Sequence, residues 1–301
     1  MRPYALLFVL AACREKHEAP ARVPTAEPTD LRFDEIALRP GLPPGISDLS
    51  LDDRGHLWAV PERDRVVLEL ALEGAPLAAR DTEHPLDGVP DGIDTEAIAW
   101  LGDHRFAIGT EGQEEATASV MFGELRADGR IALTRTLRLT EADLRVELLP
   151  NRGVEGICGA GDDVIAAIES VGTLADGTRY APLVHIHAEK VTAVTRLLLT
   201  SKTGKISALF CTFAADGTAQ VLAIERHFGV SRILTFALPP TAAEVAPAIA
   251  VDLSSIVHER YRDKLNLEGI VRTPDGRWIL VNDNQAAFVE GATRLFVFHP
   301  R

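Results

Sequence analysis

The 301-residue chain is poor in aromatic residues, with only 3 Trp and 3 Tyr. Enzymes that cleave glycosides with paired carboxylates usually stack the sugar on aromatic rings, so this scarcity argues against a glycoside hydrolase despite the many acids. Cysteine is equally scarce. Cys13, Cys158 and Cys211 fall in no Cys-x-x-Cys or Cys-His spacing, which argues against zinc. Positive charge is also short: 31 Lys and Arg face 44 Asp and Glu. The formal charge of −13 speaks against nucleic acid and against an anionic membrane surface as generic partners, since both repel an acidic protein. No Gly-x-Ser-x-Gly run occurs, so the nucleophile turn of the serine esterases is missing.

What the chain does have is a repeat. Asn266-Leu267-Glu268-Gly269-Ile270-Val271 is followed by an Asp275-Gly276 turn, a strand over 277–282 and the polar group Asn282-Asp283-Asn284. A hairpin runs out and back, so Glu268 and Asp283 meet at the end opposite its turn. The layout recurs with Glu96 and Glu111, with Glu155 and Glu169, and with Asp48 and Glu62. A weaker copy carries Ser207 in place of its first acid and Glu225 as its second. Taking Asp48, Glu96, Glu155, Ser207 and Glu268 as equivalent, the steps are 48, 59, 52 and 61 residues. Short strands repeating about every 50 residues predict an all-β fold, a β-propeller, because one four-stranded blade buries neither face until its neighbours stack on it. Strand counting favours five blades and leaves six open. The last repeat is one strand short, and a strand at 32–38 fills the gap, closing the ring between the two ends of the domain.

In such a ring the first strand of each blade lines the channel. Asp48, Glu96, Glu155 and Glu268 then converge at one end, with Glu62, Glu111, Glu169, Glu225 and Asp283 around them. So many carboxylates raise one another's pKa unless a cation compensates them, and an all-oxygen set suits calcium. The expected metal ligands are Asp48, Glu96, Glu111, Glu155, Glu169, Glu225, Glu268 and Asp283. Basic residues beside the acids are Arg63, Arg152, Lys205, Arg226 and Lys264, which would hold an anionic substrate.

Residues 1–12 read as a secretory signal, with Arg2 ahead of an apolar run too short to span a membrane. Leu10-Ala11-Ala12-Cys13 resembles a bacterial lipobox, and that resemblance implies lipid attachment at Cys13. Residues 13–31, with Pro20, Pro24 and Pro28, read as a disordered tether, leaving 32–301 as the folded domain. This places the protein in the bacterial cell envelope, touching the membrane only through its lipid. Cys158 and Cys211 lie in neighbouring repeats, where an exported protein could bridge them; buried free thiols are the reading preferred here. His185 and His187 share a strand face and read as solvated.

Glu96-Ala97-Ile98-Ala99, Glu155-Gly156-Ile157, Ala223-Ile224-Glu225-Arg226, and Leu267-Glu268-Gly269-Ile270 with Val281-Asn282-Asp283-Asn284 resemble the phytase-like family, known for an esterase-like activity of phytase. The resemblance spans roughly residues 33–300. It implies an exported propeller with a calcium-occupied acidic mouth that hydrolyses phosphate or other esters. Glu155, Glu96 and Glu268 are the expected catalytic carboxylates, one of them taking a proton from a metal-activated water. The alternative is a non-enzymatic propeller, stabilised by calcium, that binds a ligand or a partner protein.

Overall fold

The structure, a computed structural model, describes residues 33–38, 41–73, 78–227, 229–262, 265–284 and 293–299. The signal segment, the tether with Cys13, and Lys264 lie outside the described residues. The described strands form antiparallel four-stranded units joined by short turns. The first unit holds β2 (Ile46–Leu51), β3 (Leu57–Pro61), β4 (Val66–Glu73) and β5 (Ala78–Asp87); it is preceded by β1 (Phe33–Ala37). The second holds β6 (Ile93–Gly102), β7 (Arg105–Gly112), β8 (Ala118–Leu125) and β9 (Ile131–Leu139). A short helix, α1 (Glu141–Leu144), leads to the third: β10 (Val154–Ala160), β11 (Asp163–Ile168), the two-residue β12 (Gly172–Thr173), β13 (Arg179–His187) and β14 (Lys190–Leu198). The fourth unit contains β15 (Lys205–Phe213), β16 (Ala219–His227), β17 (Val230–Leu238), the short β18 (Glu244–Val245), which pairs back on β14, and β19 (Ala248–Asp252). After α2 (Ser254–Tyr261) comes the last, with β20 (Asn266–Arg272), β21 (Trp278–Asp283) and β22 (Arg294–Phe298). Here β1 supplies the fourth strand, antiparallel to β22, with Phe33 opposite Phe298 and Ala37 opposite Arg294.

The core lies between these units. One cluster joins the first unit to the second through Trp58, Leu86, Phe106 and Ile131. The next two join the second to the third and the third to the fourth. Ile224, Ile233, Leu267 and Phe296 join the fourth to the fifth, and Ile46, Leu68, Val281 and Leu295 join the fifth back to the first. Each sheet therefore buries both faces against its neighbours. A chain of sheets whose last packs on its first is a β-propeller. The inner strands are neighbours in the same cyclic order, β2 lying between β20 and β6, and β10 between β6 and β15.

Close packing around the axis depends on small residues. A Cβ on Gly156 would stand 2.8 Å from the Ala208 carbonyl carbon, and one on Gly269 would stand 2.7 Å from the Leu49 nitrogen. Further along the inner strands, past the acids, lies a cavity of about 70 Å³ lined by Leu49, Trp100, Ile157, Cys158, Phe210 and Cys211. Those two cysteines are bridged, Cα to Cα 5.7 Å, which corrects the free-thiol reading and links β10 to β15 covalently. His185 is buried and shares a hydrogen bond with Thr195 Oγ1 at 3.0 Å, so only His187, exposed beside Asp163, is solvated as expected.

Candidate site at the mouth of the channel

Every inner hairpin contains a β-bulge at its acidic end. The pairing skips one residue between Ile46 and Asp48, Thr95 and Ala97, Val154 and Gly156, Ile206 and Ala208, and Leu267 and Gly269. The extra residue of each pair of strands is thus Ser47, Glu96, Glu155, Ser207 or Glu268. A bulge re-aims the side chain at the rim of a sheet, and here it gathers three glutamates round one axis. Glu96, Glu155 and Glu268 are each less than one-tenth exposed. Burial, and then the charges of Glu155, Glu111, Glu62 and Glu268, hold the Glu96 carboxyl well above the usual range.

The register corrects two assignments. Ser47, not Asp48, occupies the position of Glu96. Asp48 sits one residue further down the strand, level with Ala97 and Gly156, where its Oδ1 accepts from Leu49 N at 2.8 Å and its Oδ2 from Ile98 N at 3.1 Å. It is fully buried, which pushes its carboxyl well up, and its oxygens serve neighbouring backbone rather than the mouth. On the second strands, Lys205 pairs with Arg226 as Asn266 pairs with Asp283 and Asp94 with Glu111. Arg226 therefore takes the place that Glu225 was expected to hold. Glu225 faces the other way and is fully buried. It accepts hydrogen bonds from the backbone and hydroxyl of both Thr200 and Ser201, so it ties down the loop before β15 and is not at the mouth.

The remaining acids do gather. Glu111 Oε2 accepts from Gly153 N at 3.0 Å, and burial followed by the Glu155 charge pushes its carboxyl up to about 8. Glu169 is paired with Lys205 Nζ, with Arg152 Nε 3.9 Å away. Arg226 clamps Glu268 with both nitrogens of its fork, Nε at 3.0 Å from Oε2. Asn266 Nδ2 donates to Glu268 Oε1 at 2.8 Å and to Asp283 Oδ2 at 3.0 Å. Even so, burial leaves Glu268 raised to about 8. Lys205 is pulled the other way, its ammonium held below the usual range by burial against the opposing charges of Glu155, Glu268 and Glu111.

Sequence reasoning missed Asp94 as a site residue. It stands two residues before Glu96 as Asn266 stands two before Glu268 and Lys205 two before Ser207, and that shared offset was the available signal. Asp94 is 1% exposed, and one carboxylate oxygen from each of Glu62, Asp94 and Glu96 lies within 4.8 Å of the others. Burial and then Asp94 and Asp283, opposed by Arg63, push Glu62 up to about 7. Asp94 Oδ1 accepts from Gln113 Nε2 at 2.7 Å, whereas Oδ2 is buried with no hydrogen-bond donor. An all-oxygen donor set with an orphaned buried oxygen fits a hard cation such as calcium.

Fold and mouth together define a β-propeller with a cluster of acids at one end of its inner strands. The chain belongs to the phytase-like family, described as esterase-like activity of phytase, whose model matches residues 44–286. No curated protein matches it. Among solved structures, an exo-β-1,3-galactanase from Clostridium thermocellum is 10% identical, covering 90% of this chain and 62% of its own, with a TM-score of 0.50. A PQQ-bound aldose sugar dehydrogenase from Streptomyces coelicolor is 12% identical over 91% and 99% of the two chains, TM-score 0.49. Regucalcin from Agrobacterium tumefaciens, a calcium-binding protein, is 17% identical over 83% and 74%, TM-score 0.39. At such identities the likeness is one of fold alone.

Proposed function

We propose that this phytase-like propeller, its units read as five blades, is a calcium-dependent hydrolase of phosphate or other esters that works at the acidic mouth. The observation that carries the reading is the convergence of the bulged Glu96, Glu155 and Glu268 on one axis, with Lys205 and Arg226 set among them. When bound, calcium would offset the crowded carboxylates and polarise an ester oxygen. Glu155 takes a proton from the attacking water, whose oxygen bonds to the ester phosphorus or carbonyl carbon. Lys205, its ammonium made more acidic by burial, returns a proton to the departing alcohol oxygen. Arg226 fixes Glu268 beside the reacting centre, and Arg63 and Arg152, both more than half exposed, meet the incoming anion.

The test is release of phosphate from a simple aryl phosphate, and of phenol from an aryl acetate, with calcium and with chelator. Glu155→Gln should lower the rate by at least about a hundredfold, the scale of a general base, with an unchanged melting temperature. Turnover that ignores both the chelator and this substitution contradicts the proposal. One observation favours the binding module as a second reading: Lys205 and Arg226 are already paired with Glu169 and Glu268, cations that an ester anion would otherwise use.

Export and lipid anchoring at Cys13 belong to the same proposal. The Cys158–Cys211 bridge supports it, because disulfides persist mainly outside the reducing cytosol.

A further inference from the structure

A second concavity, lined by none of the mouth acids, lies on the second unit. β5 pairs with β9 only through Leu86 opposite Ile131 and Asp87 opposite Ala132. The chain then turns away at Gly88, whose φ of +100° a glycine adopts without strain. Beyond that point one face of β8 and β9 forms the floor of a groove: Ser119 and Met121, with Arg138 and Thr136 opposite them. Segments 90–93 and 113–117 wall it in. Its volume is about 730 Å³, within the range of about 300–1,000 Å³ usual for small-molecule sites. The walls are preformed. Arg65 donates to the carbonyls of Pro90 and Ile93 at 3.0 and 2.8 Å, Gln113 N to Gly92 O at 3.0 Å, and Thr117 N to Glu115 O at 2.8 Å.

The groove carries charge of both signs. Asp91, Glu114 and Glu115 stand in the two walls and Arg138 on the floor; all four are exposed, and none forms an ion pair among the described residues. The acids and the arginine thus line one groove yet are held apart. Ser119 is only 9% exposed, and its hydroxyl has no hydrogen-bond partner among the described residues. A nearly buried hydroxyl left in this way calls for a partner from outside the chain. Three acids repel an anion and Arg138 repels a polycation, whereas a ligand bearing both charges meets both. We propose that this groove binds a zwitterionic ligand of the short-peptide class. Its amino group faces Asp91, Glu114 and Glu115, its carboxylate takes donors from Arg138 and Ser119, and an apolar side chain rests against Ile93 and Met121. Gln113, Thr117 and Thr136 offer donors and acceptors to the peptide group between them. The site stands apart from the mouth and does not depend on the hydrolase reading.

Calorimetric titration of the dipeptide alanyl-leucine into the full chain tests this, beside its C-terminal amide and its N-acetyl form. Wild type should bind the free dipeptide with a dissociation constant of about 1 mM or tighter. Each blocked form lacks one charge and should bind at least about tenfold more weakly, the scale of one charged hydrogen bond. Arg138→Ala should weaken the free dipeptide to the level of the amide while leaving the amide itself unchanged. Glu114→Gln combined with Glu115→Gln should do the same towards the N-acetyl form. These side chains are exposed, so the variants should fold, which circular dichroism checks. The comparison of free and blocked dipeptides on wild type decides without any variant. The proposal is overturned if wild type does not bind the free dipeptide, if either blocked form binds as tightly, or if folded Arg138→Ala keeps the wild-type affinity. Binding is read directly, so the result stands whether or not the mouth cleaves esters.

Discussion

Glu225 shows how a buried carboxylate can be structural within a few residues of a functional one. Its two oxygens accept from two backbone amides and two hydroxyls of Thr200 and Ser201, and a Cβ on Gly204 would fall 2.3 Å from its Oε1. Glu225→Ala strands those donors and should destabilise the protein by about 3 kcal/mol, read by denaturant unfolding, while calcium affinity stays unchanged. A loss of calcium affinity without loss of stability would contradict this assignment. In the sequence, Glu225 and Arg226 are adjacent and either could have been the mouth residue. Spacing alone favoured the acid because the other repeats have acids. Arg226, clamped on Glu268, shows that a ring position can be filled by the countercharge instead.

At the scale of the hairpin, the glutamate-glycine pairs combine two functions. The bulged glutamate turns to the mouth, and the following glycine lets the next inner strand approach. Gly156→Ala forces a methyl group against the Ala208 backbone and should cost about 1–3 kcal/mol, the range for overpacking, measurable as a lower melting temperature. The second element-scale prediction concerns the bridge between β10 and β15, which closes a 53-residue separation. On the chain-entropy model, reduction should remove about 4 kcal/mol, so a reducing agent should lower the melting temperature of wild type and leave Cys158→Ser unaffected. Equal shifts in both proteins would count against the bridge. The hairpins themselves were legible, since alternating strands around Asp-Gly turns have a period a reader can count. The bulges were not: an inserted residue changes no residue type, so spacing alone does not tell the position of Asp48 from that of Ser47.

For the whole molecule, closure of the ring through β1 was readable because the last repeat lacks a strand and residues 33–37 supply one. Closure brings acids from distant segments together, and this has a pH signature. In the calcium-free protein Glu62 keeps its proton up to about 7, and Glu111 and Glu268 up to about 8, whereas their ordinary value is 4.5. Between those limits the folded state binds more protons than the unfolded chain, so stability falls as pH rises through the window. The chelated protein should melt at a lower temperature near pH 8 than near pH 5, and added calcium should raise the melting temperature more at the higher pH, where the ligands are free of protons. A calcium shift that is larger at the lower pH would refute the linkage.

The most direct measurement is an anomalous difference map from crystals soaked in calcium. The account predicts a peak at the mouth, about 2.3–2.6 Å from oxygens of Glu62, Asp94 and Glu96. A map with no peak among the acids, or with the ion bound on the far side of the propeller, would contradict it.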